Sequence, residues 1–322
     1  MYLPPSINFP SLFIPLPLCS PLMYNINMGM RRLVLILVLM LFFIQPSFAI
    51  KIGLQTEVNR TYIGASTQAE IIDCNTNKLL FIMEKMQAYE FKPYKSDMIA
   101  IKVDGEFKKI KTNKVVIKPQ ADGFVSVKRK WYRGHFQLYN DGVGLTVIND
   151  IPMEKYLCGV VPSEMPSSWD MEAHKAQAIA ARSYAFANLG KRAKYGYDLK
   201  DTPEDQAYGG ASAEKVNTND AVAETEGIVI IYDGKIIPAY YSAAAGGQTK
   251  GAGEVWTKDL AFLKSVPSFD EGIKKNGHGV GMSQYGANNL ASKKGYNAYQ
   301  ILRYFYPNTK FARIKDPDYY SK

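Results

Sequence analysis

Residues 173–187 hold seven alanines, with a proline-bracketed segment before them and Gly190 after. Alanine is the best helix former because its side chain loses no rotamer entropy. The pattern predicts a helix from near Ser167 to about Leu189. Asp170 serves as the capping-box partner of Ser167, and Gly190 is the residue just past the end. Small residues on several faces let other elements approach all round. Such a helix is central and largely buried, and the rest of the chain must be arranged about it. Its polar residues Lys175, Gln177, Arg182 and Tyr184 then need partners, since buried polar groups are hydrogen-bonded. Some of them are expected to line a cleft.

The flanks of this helix read mostly as strands. Short apolar or alternating runs fill residues 50–127, separated by turn signals such as Asn75-Thr76-Asn77 and Asp104-Gly105. Asp104-Gly105 between two such runs predicts a hairpin. Another strand pair spans 132–139 and 143–148 around Asn140-Asp141-Gly142. Beyond the helix, 191–219 is polar and turn-rich and reads as a surface loop. Residues 227–242 read as a hairpin around Asp233-Gly234, and a final helix over 298–306 is stopped by Pro307. The expected fold is α+β, with mixed strands packed around a central buried Ala-rich helix and a β-rich N-terminal part. The expected divisions are a leader at 1–49, a β-rich region at 50–128, a mixed domain around the Ala-rich helix at 129–310 and a tail at 311–322.

The leader carries its own signal. Arg31-Arg32 precedes an apolar run at 33–44, and Ser47-Phe48-Ala49 offers small residues at the two positions a signal peptidase reads. This predicts export, with Ile50 as the mature start. The apolar run is short for a membrane span, which needs ~20 residues; an uncleaved anchor, the alternative, would be the chain's membrane contact. Residues 1–27 bear no charge and lie upstream of the basic segment, which points to a start at Met28 or Met30.

The formal net charge of +9 favours polyanions in general, but the basic residues form no dense block, so a nucleic-acid site is not indicated. Cys19, Cys74 and Cys158 have neither metal-knuckle nor redox spacing. Cys74 and Cys158 are read as packed thiols, with a single disulfide between them as the other option.

Pro162 and Pro166 bracket Glu164, which reads as a rigid turn at the entrance of the Ala-rich helix, beside Met165 and Trp169. A helix N-terminus would lower the pKa of that carboxyl, so desolvation would have to win if Glu164 is to act as an acid. Three blocks carry the remaining signal: 156–169 with 172–185, then Tyr240-Tyr241-Ser242 with Gly246-Gly247 and Trp256, then Gly277-His278-Gly279-Val280-Gly281-Met282-Ser283-Gln284. In this order, over residues 131–309, they resemble the SpoIID/LytB family of peptidoglycan lytic transglycosylases.

The resemblance implies an exported enzyme that cleaves glycan strands without water, in sporulation or septal wall remodelling. Glu164 falls on the catalytic position and would act as acid and then as base. Gln177, Arg182, Tyr240, Ser242, His278 and Gln284 are the candidate substrate-binding residues, each with a structural role as its rival. His174 and His135 are read as structural or surface residues. Some family members hold zinc through Cys and His, but no such cluster is visible here, so neither metal nor cofactor is expected. The segment between Ser265 and His278 is short compared with many members, which implies that one wall of the groove is either missing or rebuilt. LytB-type members suggest a rival function: a non-catalytic glycan-binding partner of a cell-wall amidase.

Overall fold

The computed structural model describes residues 48–257 and 259–314. The expected leader through residue 47, including residues 1–27 and Cys19, and the tail beyond residue 314 lie outside the described residues. Twelve strands come first: β1 Ala49–Val58, β2 Thr61–Ala65, β3 Ala69–Asp73, β4 Leu79–Met83, β5 Ala88–Tyr94, β6 Met98–Val103, β7 Glu106–Ile110, β8 Lys114–Pro119, β9 Val125–Val127, β10 Lys130–Tyr132, β11 His135–Asn140 and β12 Leu145–Pro152. Then come α1 Met153–Glu164, α2 Met171–Ala187, β13 Leu199–Lys200, α3 Val216–Glu224, β14 Ile228–Tyr232, β15 Lys235–Ile236, β16 Tyr241–Ser242 and α4 Ala252–Val255. The order closes with β17 Met282–Ser283, α5 Gln284–Lys294, α6 Ala298–Phe305 and β18 Lys310–Arg313.

One sheet has the order β13-β1-β12-β11-β8-β3-β4, and a second has the order β10-β9-β2-β5-β6-β7. Alternation explains their inner faces: β3 buries Ala69, Ile71 and Asp73 and turns Glu70 and Ile72 outward. Tight turns fix the registers. Asp104 and Gly105 both take positive φ, 52° and 85°, and Val103 pairs with Glu106 across them. That is the turn an Asp-Gly pair favours, because it matches the right-handed twist of the strands. Asp233 and Gly234 do the same between β14 and β15. The sheet joins strands from both sides of residue 128, since β1 pairs with β12 and β8 with β11.

The Ala-rich helix is central, as its composition demands. Two apolar clusters meet on α2: Ala178, Ala181, Tyr184 and Ala185 join the core of the sheets, and Ala173, Ala176, Ile179 and Ala180 join the core formed with β14, α5 and α6. Its start differs from expectation. Asp170, not Ser167, is the N-cap, and its carboxylate accepts from Glu172 N. Pro166 and the turn after it hold 166–169 out of the helix. Cys74 and Cys158 are free thiols, the first exposed and the second half-buried. No helix among the described residues is long and apolar enough to cross a membrane.

Candidate active site

Glu164 is the last residue of α1, and the two prolines explain why. Pro162 sits inside the helix. It has no N–H to give the Cys158 carbonyl, and the next side chain, Ser163 Oγ, donates back to Gly159 O at 2.7 Å. Pro166 is the terminator. A residue before proline is driven out of the helical region, and Met165 is extended at φ −130°, ψ 141°. The expected turn at a helix entrance is therefore corrected. Glu164 stands at a helix C-terminus, where the dipole disfavours an anion.

Three groups hold its carboxyl. Ala207 N–H donates to Oε1 at 2.8 Å. The Tyr241 hydroxyl reaches the same oxygen at 3.5 Å, the outer edge of hydrogen bonding. Gln284 Nε2 donates to Oε2 at 3.1 Å. Burial pushes the carboxyl above its ordinary pKa; Ala207, Gln284 and Tyr241 pull it back, and burial prevails.

The backbone makes these contacts possible. A Cβ on Gly159 would lie 2.6 Å from the Tyr208 ring and 2.9 Å from Gly210 O, so only glycine lets residues 206–210 lie against α1. Tyr241-Ser242 pairs in parallel with Met282-Ser283. A Cβ on Gly281 would fall 2.0 Å from Tyr240 O. That close pairing brings Tyr241 and Gln284, from two distant blocks, to one carboxyl.

Behind Tyr241 lies buried Gln206. Its Nε2 donates to the Tyr241 hydroxyl at 2.8 Å and to Ala181 O at 3.2 Å. Its Oε1 accepts from the Tyr156 hydroxyl at 3.2 Å. Sequence reasoning missed Gln206 and Ala207 because they sit in the polar stretch read as surface loop. The available signal was Tyr208-Gly209-Gly210, an aromatic beside a glycine pair, which marks close backbone approach.

A second group forms around the segment before β16. The Tyr240 ring lies 4.6 Å from Trp256 and 5.6 Å from Tyr184, and Trp256 lies 5.4 Å from the His278 ring. Val280 N–H donates to His278 Nδ1 at 2.9 Å. Burial, with Lys275 next, lowers the His278 pKa against a smaller opposing effect of the Tyr241 backbone. The imidazole is thus neutral at pH 7 with its proton on Nε2. Ser242 is buried, and its hydroxyl has no hydrogen-bond partner among the described residues.

Two of the expected residues lie within α2. Gln177 is fully buried, and neither its amide oxygen nor its nitrogen has a partner among the described residues. Helical spacing puts it on the face of Ala181 and Tyr184. Arg182 departs from the expectation of a cleft residue. Fully buried, it donates to both Glu154 oxygens at 2.8 and 2.6 Å and to the carbonyls of Ile228 and Val222. With every nitrogen engaged, it ties α1, α2, α3 and β14 together. His174 is buried and donates through Nε2 to Pro166 O at 3.0 Å, and His135 lies 3.6 Å from Asp150.

A cavity of about 310 Å³ opens between β1 and residues 200–204, lined by Leu54, Gln55, Lys128 and Asp201 among others; it contains none of the candidate site residues. Among the described residues no three His, Cys, Asp or Glu side chains are grouped so as to hold a metal ion.

The family model for SpoIID, Stage II sporulation protein, matches residues 141–232, which run from the end of β11 through α1, α2 and α3 to β14. The chain is 33% identical over 201 residues to an uncharacterized protein of Brachyspira hyodysenteriae, covering 62% of this chain and 50% of that one. It is 45% identical over 107 residues to the amidase enhancer of Bacillus subtilis, covering 33% and 14%. To stage II sporulation protein D of Bacillus amyloliquefaciens it is 36% identical over 136 residues, covering 38% and 40%. The chain thus spans half or less of the length of these relatives. It is the segment that carries Glu164 and the Ala-rich helix that matches the SpoIID family, and the relatives named above include proteins of that description.

Proposed function

We propose that this protein is an exported lytic transglycosylase that cleaves the glycan strands of peptidoglycan, in sporulation or septal wall remodelling, with Glu164 as its single acid and base. The observation that carries this reading is a largely buried carboxyl at a helix C-terminus, held by three hydrogen-bond donors, where burial pushes its pKa upward. A general acid must arrive protonated and still be able to release its proton near neutral pH.

In the proposed reaction Glu164 protonates the glycosidic oxygen, and the bond from the anomeric carbon to that oxygen breaks. The sugar's own primary hydroxyl then attacks the anomeric carbon and returns its proton to Glu164. The product has an anhydro-sugar end, and no water is consumed. Most glycosidases need a second carboxylate as nucleophile or base. The groups that contact Glu164 are a backbone amide, a phenol and a carboxamide. This supports a mechanism in which the substrate supplies the nucleophile. Tyr240, Trp256 and His278 would offer ring faces to the sugar, whereas Gln177 and Ser242, whose polar atoms are buried, are assigned no sugar contact.

The likeness to an amidase enhancer favours a second reading, in which the chain binds glycan and modifies a cell-wall amidase without catalysis. Purified protein incubated with glycan strands separates the two. The first reading expects anhydro-muropeptide ends from the wild type and none from a Glu164→Gln variant that still binds. A wild type that binds and leaves no such ends overturns it.

A further inference from the structure

The orientation of Gln206 can be assigned from its neighbours. A carboxamide's nitrogen and oxygen are told apart by what surrounds them. One terminal atom lies 3.2 Å from Ala181 O, a backbone carbonyl that can only accept. That atom is therefore Nε2. It has two hydrogens; one goes to Ala181 O and the other to the Tyr241 hydroxyl at 2.8 Å. Oε1 is left to face Tyr156 at 3.2 Å, which makes Tyr156 the donor there. Gln206 and Tyr156 are fully buried.

This assignment fixes the next hydrogen. An amide nitrogen has no lone pair to accept with. Tyr241 must accept from Gln206, and its only hydrogen is free to point elsewhere. The oxygen within reach is Glu164 Oε1, at 3.5 Å. Oε1 already receives Ala207 N–H at 2.8 Å, so both its acceptor directions are occupied. Oε2 receives only Gln284 Nε2, at 3.1 Å.

We propose that Gln206 is a positioning residue: by making Tyr241 its acceptor it turns the phenol's hydrogen onto Glu164 Oε1 and leaves Oε2 as the oxygen that carries and passes the proton. The inference rests on the reading of Glu164 as the acid. Other groups near this chain are Tyr208 and Asp205, which bear on Tyr156, and Tyr184 on α2, which bears on Tyr156 and Tyr241. Asp205 is compensated by Lys191 and Arg192 at 2.6 and 2.7 Å. Burial keeps Tyr156 and Tyr241 protonated.

The test is a titration of the Glu164 carboxyl by carbon-13 NMR in the full chain, together with kinetics on glycan strands. In Gln206→Met the Tyr241 oxygen loses the donor that holds it and polarises its O–H, so the bond to Oε1, which favours the carboxylate, weakens. The Glu164 midpoint should rise, and Tyr241→Phe, which removes that bond, should raise it at least as far. The double variant should go no further than Tyr241→Phe alone. Catalytic rate should fall roughly tenfold in Gln206→Met with KM unchanged, and the alkaline limb of the rate profile should move up with the midpoint. If Gln206→Met fails to fold, Gln206→Glu keeps the size and makes the side chain an acceptor that draws the Tyr241 hydrogen away; the midpoint should again rise. A midpoint that stays at the wild-type value in the folded Gln206 variants overturns the inference, as does a double variant in which the two shifts add. The titration needs no turnover. A protein that shows this pattern yet cleaves no glycan removes the proposed function and leaves the inference intact.

Discussion

Gln284 Nε2 lies 3.1 Å from Glu164 Oε2, although 120 residues separate the two in the chain. The contact is made where α5 begins, one residue after the N-cap Ser283. Removing this donor has two opposed consequences. The carboxylate loses a favourable hydrogen bond, so the Glu164 pKa rises and the acid stays protonated to higher pH. The proton-bearing oxygen also loses the contact that aims it. Gln284→Leu is expected to lower the catalytic rate by roughly tenfold to a hundredfold and to move the alkaline limb of the rate profile upward. Steady-state kinetics from pH 5 to 9 measure both; a variant with wild-type rate contradicts the role.

The raised pKa of Glu164 has a cost in stability. A group whose pKa is higher in the folded than in the unfolded chain favours folding fully below its unfolded value, ordinarily 4.5. That contribution is lost as pH rises through the folded value. Glu164→Gln removes the titration and keeps the shape, and Gln284 can turn its amide to present an oxygen. The variant is therefore expected to unfold at a higher temperature than wild type at pH 7, with the difference shrinking toward pH 4. Thermal melts across that range check it; a variant less stable than wild type at pH 7 counts against the desolvated carboxyl.

Arg182 provides a contrast within the same helix. Breaking a buried ion pair by removing one partner costs about 3–5 kcal/mol, since the remaining charge and carbonyls are left unpaired. Arg182→Met should lose about that much stability, read from urea unfolding. Where the folded fraction can be assayed, its KM for glycan should match wild type. A raised KM with unchanged stability would return Arg182 to the binding surface.

Asp270 knots the segment that leads to His278. It is buried, and it accepts from Ala245 N at 2.6 Å, Gly247 N at 2.7 Å, Ser283 Oγ at 2.6 Å and Ser268 Oγ. Burial pushes its pKa up, but the serine hydroxyls and backbone amides together hold it below 3.8. Its contribution to folding is thus complete above that value and lost as pH falls through the lower, folded one. Asp270→Asn sets an amide N–H2 against donors and should cost about 2–4 kcal/mol at pH 7. Below pH 4 its stability should vary less with pH than the wild type's, as chemical denaturation at several pH values would show.

Local chemistry made much of this fold legible in the sequence. Asp104-Gly105 and Asp233-Gly234 specify their turns without outside help, and the alanines of α2 require close neighbours on both sides. Glu164 and Gln284 are both marked by the resemblance, each lying in one of its blocks. The parts that escaped are set by tertiary contact. Pro162 reads locally as a breaker, yet α1 tolerates it because Pro166 is what ends the helix. Gln206 lies in a polar stretch; Tyr208-Gly209-Gly210 beside it marks a close backbone approach, but not that Ala181, Tyr156 and Tyr241 close over the glutamine. Arg182 looks the same in sequence whether it meets a sugar or Glu154.

The Asp270 knot separates two tasks in one short stretch of chain. It fastens residues 268–270 to Ser283, the residue that caps α5 and sets Gln284. Gly277 is fixed independently, packed so closely on Ser242 that a Cβ would come within 2.7 Å of it. Between these anchors, residues 271–276 are all exposed. Insertions or deletions there would reshape the strip beside His278 while the proton-bearing machinery stays in register. On the proposed function, editing this external tether would retune which polymers are gripped and leave the reactive centre untouched.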